Sequence, residues 1–279
     1  MLRLIRIKTP AFLFLLLSAC LLPTTTVRSQ VTQKQKTLLG STTARNGFKN
    51  EDEVAAKFNN WKTDSDARAW LAAMGYSVEN VSSVTATKPH GEKSDVEVRV
   101  RTAAQDKTEG ISIKLVSNSN GFNQIDKRWL SHYARVWKMP SDVENALKLF
   151  VGEALPTRPG RAANRMFLDE VSDQQQRAVI AFFEANKTEI VSDLFQGDGE
   201  HSADWVMVAF KATTNTRWAL RRVAEVIKYY REGPVTITSG GNLKIGRITM
   251  QRKGGDGGRE TAKMLQFKIN PALLLYDLR

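Results

Sequence analysis

Asp95 and Glu97 stand two residues apart in KSDVEVRV, and Ser112 and Lys114 stand two apart in GISIKLV. Both segments are β-branched and bounded by Gly, Lys or Asp, so each reads as a strand. Side chains alternate between the faces of a strand, so Asp95 shares a face with Glu97, and Ser112 shares one with Lys114. If the two strands are neighbours, joined through TAAQDKTEG, a carboxylate, a hydroxyl and an ammonium converge. That set suits metal-assisted hydrolysis of a phosphodiester. Asp95 holds a divalent cation, helped by Ser112 and the carbonyl of Ile113. Lys114 orients the attacking water or offsets charge on phosphorus. A metal here lowers the pKa of its bound water and stabilises both oxygens of an in-line displacement. The plain alternative is two charged strands with a solvated face, and the spacing alone fits both.

Composition narrows the chemistry. The chain has 279 residues, a net charge of +12 and 42% hydrophobic residues, which describes a globular body with an excess of cationic groups. Residues 1–30 hold Arg3, Arg6, Lys8 and Arg28 and no acid, four of the twelve net charges, leaving +8 for the rest. A body with that balance is drawn to a polyanion. The only cysteine is Cys20, so residues 31–279 form no disulfide and no thiolate metal site. His90, His132 and His201 are the only imidazoles and match no zinc spacing. A metal must therefore be held mainly by oxygen, which suits Mg²⁺, Ca²⁺ or Mn²⁺.

The elements that position these residues read as follows. Asn50 is expected to cap a first helix, with Glu51, Asp52 and Glu53 in its opening turn, where acids complement the helix dipole. Glu51 is read mainly in that role, a metal contact being the alternative. A second helix in DSDARAWLAAMG starts at Asp64 or Ser65 and stops at Gly75. Strands follow in SVENVSSVTATK, DVEVRVR and GISIKLV. Helical spacing returns in NQIDKRWLSHYARVWK, SDVENALKLFVG, SDQQQRAVIAFFEANKTEIVSDLF and NTRWALRRVAEVIKYYREG, with a strand at DWVMVAFKA and short strands in PVTITS, LKIGRITMQR and MLQFKIN. The six tryptophans fall on apolar positions and are assigned to the core. The pattern predicts one α/β domain over residues 31–279, a central mixed sheet flanked by helices.

GFKNEDEVAAKF, WLAAMG, IKLVSNSNGFNQIDKRWL, RWALRRVAEV and ITMQRKGGDGGRETAKMLQFKIN occur in an order and spacing that resemble the type II restriction endonucleases recognising GCGC, within the PD-(D/E)xK superfamily. The likeness runs from about Leu38 nearly to the C-terminus. It implies a restriction-endonuclease-like fold, Mg²⁺ as cofactor, double-stranded DNA as substrate, cleavage leaving 5′ overhangs, and a DNA methyltransferase as genetic partner. Carried over residue by residue, the family's metal-binding aspartate falls on Asp95 and its lysine on Lys114. The family has glutamine where this chain has Ser112, whose shorter side chain reaches a metal only through a water or a shifted backbone. Glu97, a carboxylate where an amide is expected, is assigned part of that lost contact. The family's DNA-inserting glutamine falls on Gln124, which would kink the duplex. A competing reading of the same segment makes Asn123 a helix cap. Asn123, Lys127 and Arg128 are expected to face DNA from this segment. Gln251, Arg252, Lys253 and Arg259 are expected to read base edges around the Gly-rich turn, since Arg pairs with guanine O6 and N7. Arg161 and Arg165 are read either as phosphate contacts or as a solvated loop. That turn lacks the frame of a phosphate-binding P-loop.

Residues 1–22 pair a basic start with the apolar run AFLFLLLSACLL, the layout of a secretory signal, and LSAC resembles a lipoprotein signal ending on Cys20. Two locations follow. Residues 1–30 are a leader to export or lipid anchoring, giving an exported nuclease, or they precede a later start at Val27 or Val31, giving a cytoplasmic enzyme. The second suits a restriction enzyme. A DNA-binding protein that has lost catalysis is the third reading, raised by Ser112. A palindromic site is served by a homodimer or by two sequential visits of a monomer.

Overall fold

The computed structural model describes residues 33–89, 93–211, 215–255 and 258–276; the leader, the alternative starts and His90 lie outside them. Helix α1 (Gln33–Asn59) and helix α2 (Ser65–Ala73) come first, and Asp64 caps α2 by accepting the Ala67 N–H. Asn50 is not a cap. It lies within α1, 2% exposed, with both amide atoms unpartnered, because the helix begins well before the acidic run.

A five-stranded mixed sheet follows the order β1 (Val81–Thr87), β2 (Val96–Thr102), β3 (Asp106–Val116), β5 (Trp205–Phe210), β6 (Arg217–Arg222). All pairs are antiparallel except the central β3–β5 pair. Strand β5 is buried along its whole length, as a central strand covered on both faces should be. One face packs against α1 and α2 through Val54, Phe58, Trp61, Trp70 and Leu71 on Val96, Val98, Ile111, Ile113 and Met207.

The opposite face shares a core with α3 (Leu130–Val136), α4 (Ser141–Val151), α5 (Asp173–Ala185), α6 (Lys187–Phe195), α7 (Val223–Tyr230) and a second sheet. That sheet is antiparallel, in the order β4 (Asn123–Arg128), β10 (Leu265–Ile269), β9 (Ile248–Arg252), β8 (Leu243–Ile245), β7 (Val235–Ile237). Ser172 opens α5 with a reciprocal capping box to Gln175. Fully burying a Phe or Leu contributes roughly 1.5–3 kcal/mol, whereas an exposed pair such as Arg99–Asp106 is screened by solvent and adds little. The two apolar layers, rather than the surface ion pairs, therefore hold the sheets together.

The fold is the expected α/β class, with a mixed sheet flanked by helices; the second sheet enlarges that expectation. Two segments expected to be helical begin as strands. NQIDKR is β4 and RWALRR is β6, with the helices starting only at Leu130 and Val223. Each strand has a partner, β10 or β5, whose ladder overrides local helical spacing. Five of the six tryptophans pack into the apolar layers, but Trp129, at the start of α3, is 36% exposed.

Candidate active site

Strands β2 and β3 pair with Val96 opposite Ile111 and Glu97 opposite Gly110. Continued by one residue, that register sets Asp95 opposite Ser112, and the Asp95 N–H donates to the Ile111 carbonyl at 2.9 Å. The three polar groups do converge. Asp95 Oδ2 accepts the Ile113 N–H at 2.5 Å and the Ser112 hydroxyl at 3.3 Å. Lys114 Nζ donates to Ser112 Oγ at 3.0 Å and lies 3.7 Å from Asp95 Oδ2. Ser112 is thus a buried bridge between ammonium and carboxylate, and Oδ2 of Asp95 accepts both bonds made to that carboxylate.

Gly110 makes this corner possible. A Cβ there would lie 2.1 Å from the Ser202 carbonyl oxygen and 2.3 Å from Ser94 Oγ, so only glycine lets the loop before β5 close over β3. Ser94 Oγ donates to that same carbonyl, fixing the backbone next to Asp95.

A second carboxylate reaches the cluster from α1. Burial first, and then the Asp95 charge, push the Glu51 carboxyl above the usual carboxylate range; Lys88 and Lys114 pull the other way. Lys88 Nζ lies 3.3 Å from Glu51 and 2.7 Å from Asp52. A carboxyl whose ionised form is disfavoured, near the Asp95 carboxylate and beside main-chain and hydroxyl oxygens, belongs to a donor set that suits a hard divalent cation. Among the described residues no group of three or more acidic, imidazole or thiol ligands forms, so the protein's share of such a shell is small. The residues present fit Mg²⁺ in that respect, since Mg²⁺ typically keeps several waters. Glu51, expected to complement a helix dipole, is instead the nineteenth residue of α1, far from its opening turn.

Glu97 shares the face of Ser112 and Lys114, as alternation requires, but its carboxylate meets His201 Nδ1 at 2.5 Å on the loop before β5. None of its contacts joins it to Asp95, Ser112 or Lys114. His201 is an unforeseen neighbour of the site.

The expected DNA-facing residues divide. A β-bulge leaves Ile125 unpaired, with Asp126 opposite Phe267 and Gln124 opposite Lys268. The bulge places Gln124 and Asp126 on opposite faces. Gln124, Lys127, Thr249, Gln251, Gln266 and Lys268 then share one polar face of the second sheet, while Asp126, Phe267, Met250 and Leu265 face the core. Gln124 is exposed there.

Three expected contacts are corrected. Asn123 caps no helix; its Nδ2 donates to the Leu115 carbonyl at 2.7 Å, tying β4 to β3 one residue past Lys114. Arg128 turns to the core side, where it bonds Asp126 and Asp193 and lies over the Tyr133 ring. Burial opposes its charge, but these carboxylates raise its pKa above the usual guanidinium value. Arg252, opposite Leu265, is on the side away from Gln251 and donates Nε–H to the Ala262 carbonyl at 3.1 Å.

Arg252 also meets Arg165 at Gly152, where a Cβ would touch both side chains. Burial lowers the pKa of both guanidinium groups, and neither has a carboxylate within ion-pair distance among the described residues. Arg165 lies over Phe167 at 4.1 Å and Phe150 at 5.6 Å, while Arg161 pairs with Asp169 and Glu170. Lys253 and Arg259 flank the Gly-rich turn, where Gly254, Gly255 and Gly258 adopt positive φ.

Comparisons with known proteins bear on the fold and the family. The restriction endonuclease MspI, solved in complex with its cognate DNA, superposes with a TM-score of 0.53 at 12% sequence identity, covering 75% of this chain and 79% of MspI. That likeness is one of fold. No curated protein matches the sequence. The sequence pattern of the R.HinP1I restriction endonuclease matches residues 74–275, most of the chain and all of the β-sheet framework. On that match the chain belongs to the R.HinP1I restriction endonuclease family.

Proposed function

We propose that the protein is a type II restriction endonuclease that cuts double-stranded DNA at GCGC by Mg²⁺-dependent hydrolysis, leaving 5′ overhangs. The observation that carries the reading is the convergence of Asp95, Ser112 and Lys114, with Glu51 approaching from α1. Asp95, Glu51 and the Ile113 carbonyl would hold the cation, which when bound supplies a more acidic water and charge neutralisation at phosphorus. The Ile113 N–H fixes the Asp95 carboxylate in place, leaving Oδ1 clear of the bonds that crowd Oδ2. Ser112 holds the Lys114 ammonium beside Asp95 by accepting its N–H. Lys114 brings a positive charge to the oxygen that gains charge in the transition state. Gln124, Lys127, Gln251 and Lys253 face bases or phosphates, and the Arg165–Arg252 pair takes a phosphate oxygen, because two half-buried cations without an acid suit an anion.

MspI is a DNA-bound relative in fold, which supports duplex DNA as substrate. The test is incubation of the purified protein with plasmid DNA and Mg²⁺. Discrete fragments ending at GCGC are expected. A smear favours a non-specific nuclease, and a gel shift without cuts favours a DNA-binding protein that has lost catalysis through Ser112. A methyltransferase that modifies GCGC is the partner this activity requires in the host, and the enzyme would act in the cytoplasm if translation starts at Val27 or Val31. Mass spectrometry of the mature N-terminus checks the latter; residues 1–32 lie outside the described part.

A further inference from the structure

Three glutamines cross the polar face of the second sheet on three adjacent strands. Gln251 on β9 donates Nε2–H to Gln266 Oε1 at 3.3 Å, and Gln266 on β10 donates Nε2–H to Gln124 Oε1 on β4 at 2.7 Å. Gln266 is 8% exposed, although its face carries Thr249, Lys127 and Lys268 rather than an apolar cover. It is enclosed by its two glutamine neighbours and sits at the centre of the chain.

We propose that this chain is a polarised reader whose two ends present one donor and one acceptor to DNA, with Gln266 as the residue that positions both. The inference rests on the GCGC-cutting function proposed above. Each glutamine amide has one carbonyl acceptor and one NH₂ donor group. Gln266 engages both of its own, so Gln124 keeps its NH₂ for donation and Gln251 keeps its carbonyl for acceptance. Reversing all three amides exchanges the ends but preserves the rule. While the chain is intact one end keeps its whole NH₂ group uncommitted and the other its whole carbonyl, so the two ends differ in character.

Strand spacing gives the separation. Neighbouring strands lie ~4.8 Å apart, so β9 and β4 are roughly 10 Å apart across β10. That is about three base steps at ~3.4 Å each. Along one strand of GCGC, the first base and the fourth are three steps apart. They are a guanine, which offers acceptors, and a cytosine, which offers a donor. The two ends of the chain therefore suit the outer bases of the site and leave the inner ones to other residues. Lys127 and Lys268 flank the chain on the same face, where they add attraction for the phosphate backbone.

The test measures binding of the full chain to labelled duplexes by fluorescence anisotropy, with Ca²⁺ in place of Mg²⁺. The duplexes carry GCGC, an outer-pair substitution or an inner-pair substitution. Gln266→Met removes both bonds at similar volume. Gln266→Glu still accepts from Gln251 but cannot donate to Gln124 as a carboxylate, and serves if the Met variant fails to fold. Discrimination against outer substitutions is expected to fall by about tenfold in each folded variant, the scale of one good base contact, with inner discrimination retained. Unchanged outer discrimination, or equal loss at inner and outer positions, overturns the proposal. A wild-type chain that binds DNA without preferring GCGC overturns the parent reading and the proposal with it, a result separate from any behaviour of the variants.

Discussion

The Glu51 carboxyl is held above its usual range by burial and by the Asp95 charge. Its neutral form is therefore favoured in the folded chain. The sign follows from linkage: the cost is absent below the ordinary carboxylate pKa and accumulates as pH rises through the raised one. Glu51→Gln is expected to unfold at a higher temperature than the parent near neutral pH without metal, and at about the same temperature at pH 4. Thermal melts across that range check it. The same variant is expected to need more Mg²⁺ for cleavage, since one oxygen donor loses its charge. Lys114→Ala is expected to slow cleavage by about 10²-fold or more, the scale of lost transition-state charge stabilisation, with duplex binding retained in a gel shift. Asp95, Ser112 and Lys114 were legible because strand alternation and one hairpin register fix their faces. Glu51 was not, because the influence of the Asp95 charge on it depends on how α1 lies against the sheet. Arg128 was misread for a related reason: cationic residue type predicts a preference for anions but not whether the nearest anion is a phosphate or an internal aspartate.

At the level of elements, β4 links recognition to catalysis. Asn123 binds β3 beside Lys114, while Asp126 anchors the other end in a cluster with Lys93, Arg128 and Tyr133. Lys93 Nζ lies 2.6 Å from Asp126 Oδ2 and 2.8 Å from the Leu194 carbonyl oxygen, and Lys93 is two residues from Asp95. Burial pushes the Asp126 carboxyl up, but Lys93 and Arg128 outweigh it and hold its pKa below the usual value. Its contribution to stability is therefore present above the ordinary carboxylate pKa and lost as pH falls through the lowered one. Asp126→Asn is expected to destabilise the fold by about 3–5 kcal/mol, because two cations stay in place without their shared anion. Urea unfolding at neutral pH measures this, and the gap from the parent should narrow in acid. The helices α2, α4, α5 and α6 were readable from caps and periodicity. Strands β4 and β6 were not, because each is only six residues long and takes its conformation from a distant partner.

Across the whole molecule, positive charge and two sheets serve a single polyanion. The body carries +8 outside residues 1–30, and its affinity for duplex DNA is expected to fall linearly on a log–log plot against salt. A slope that stays flat between 50 and 200 mM, a range over which about 10³–10⁵ is lost by proteins with many phosphate contacts, counts against a broad phosphate footprint. The class of fold was visible in the alternation of strands and helices, but the division into two sheets was not. Nothing local distinguishes a strand that joins the first sheet from one that joins the second; long-range pairing decides it. The bulge at Ile125 shows how much depends on one such detail. It shifts the phase of the strand by half a period, so the residues before it follow the opposite inside–outside parity from those after it. Excising that one residue would restore a uniform rhythm with Gln124 still outward and Asn123 still inward, whereas a regular ladder that kept Ile125 would turn Gln124 inward and Asn123 outward. A single-codon deletion there should thus leave both target selection and the catalytic groups in place, which cleavage of GCGC-bearing plasmid would check.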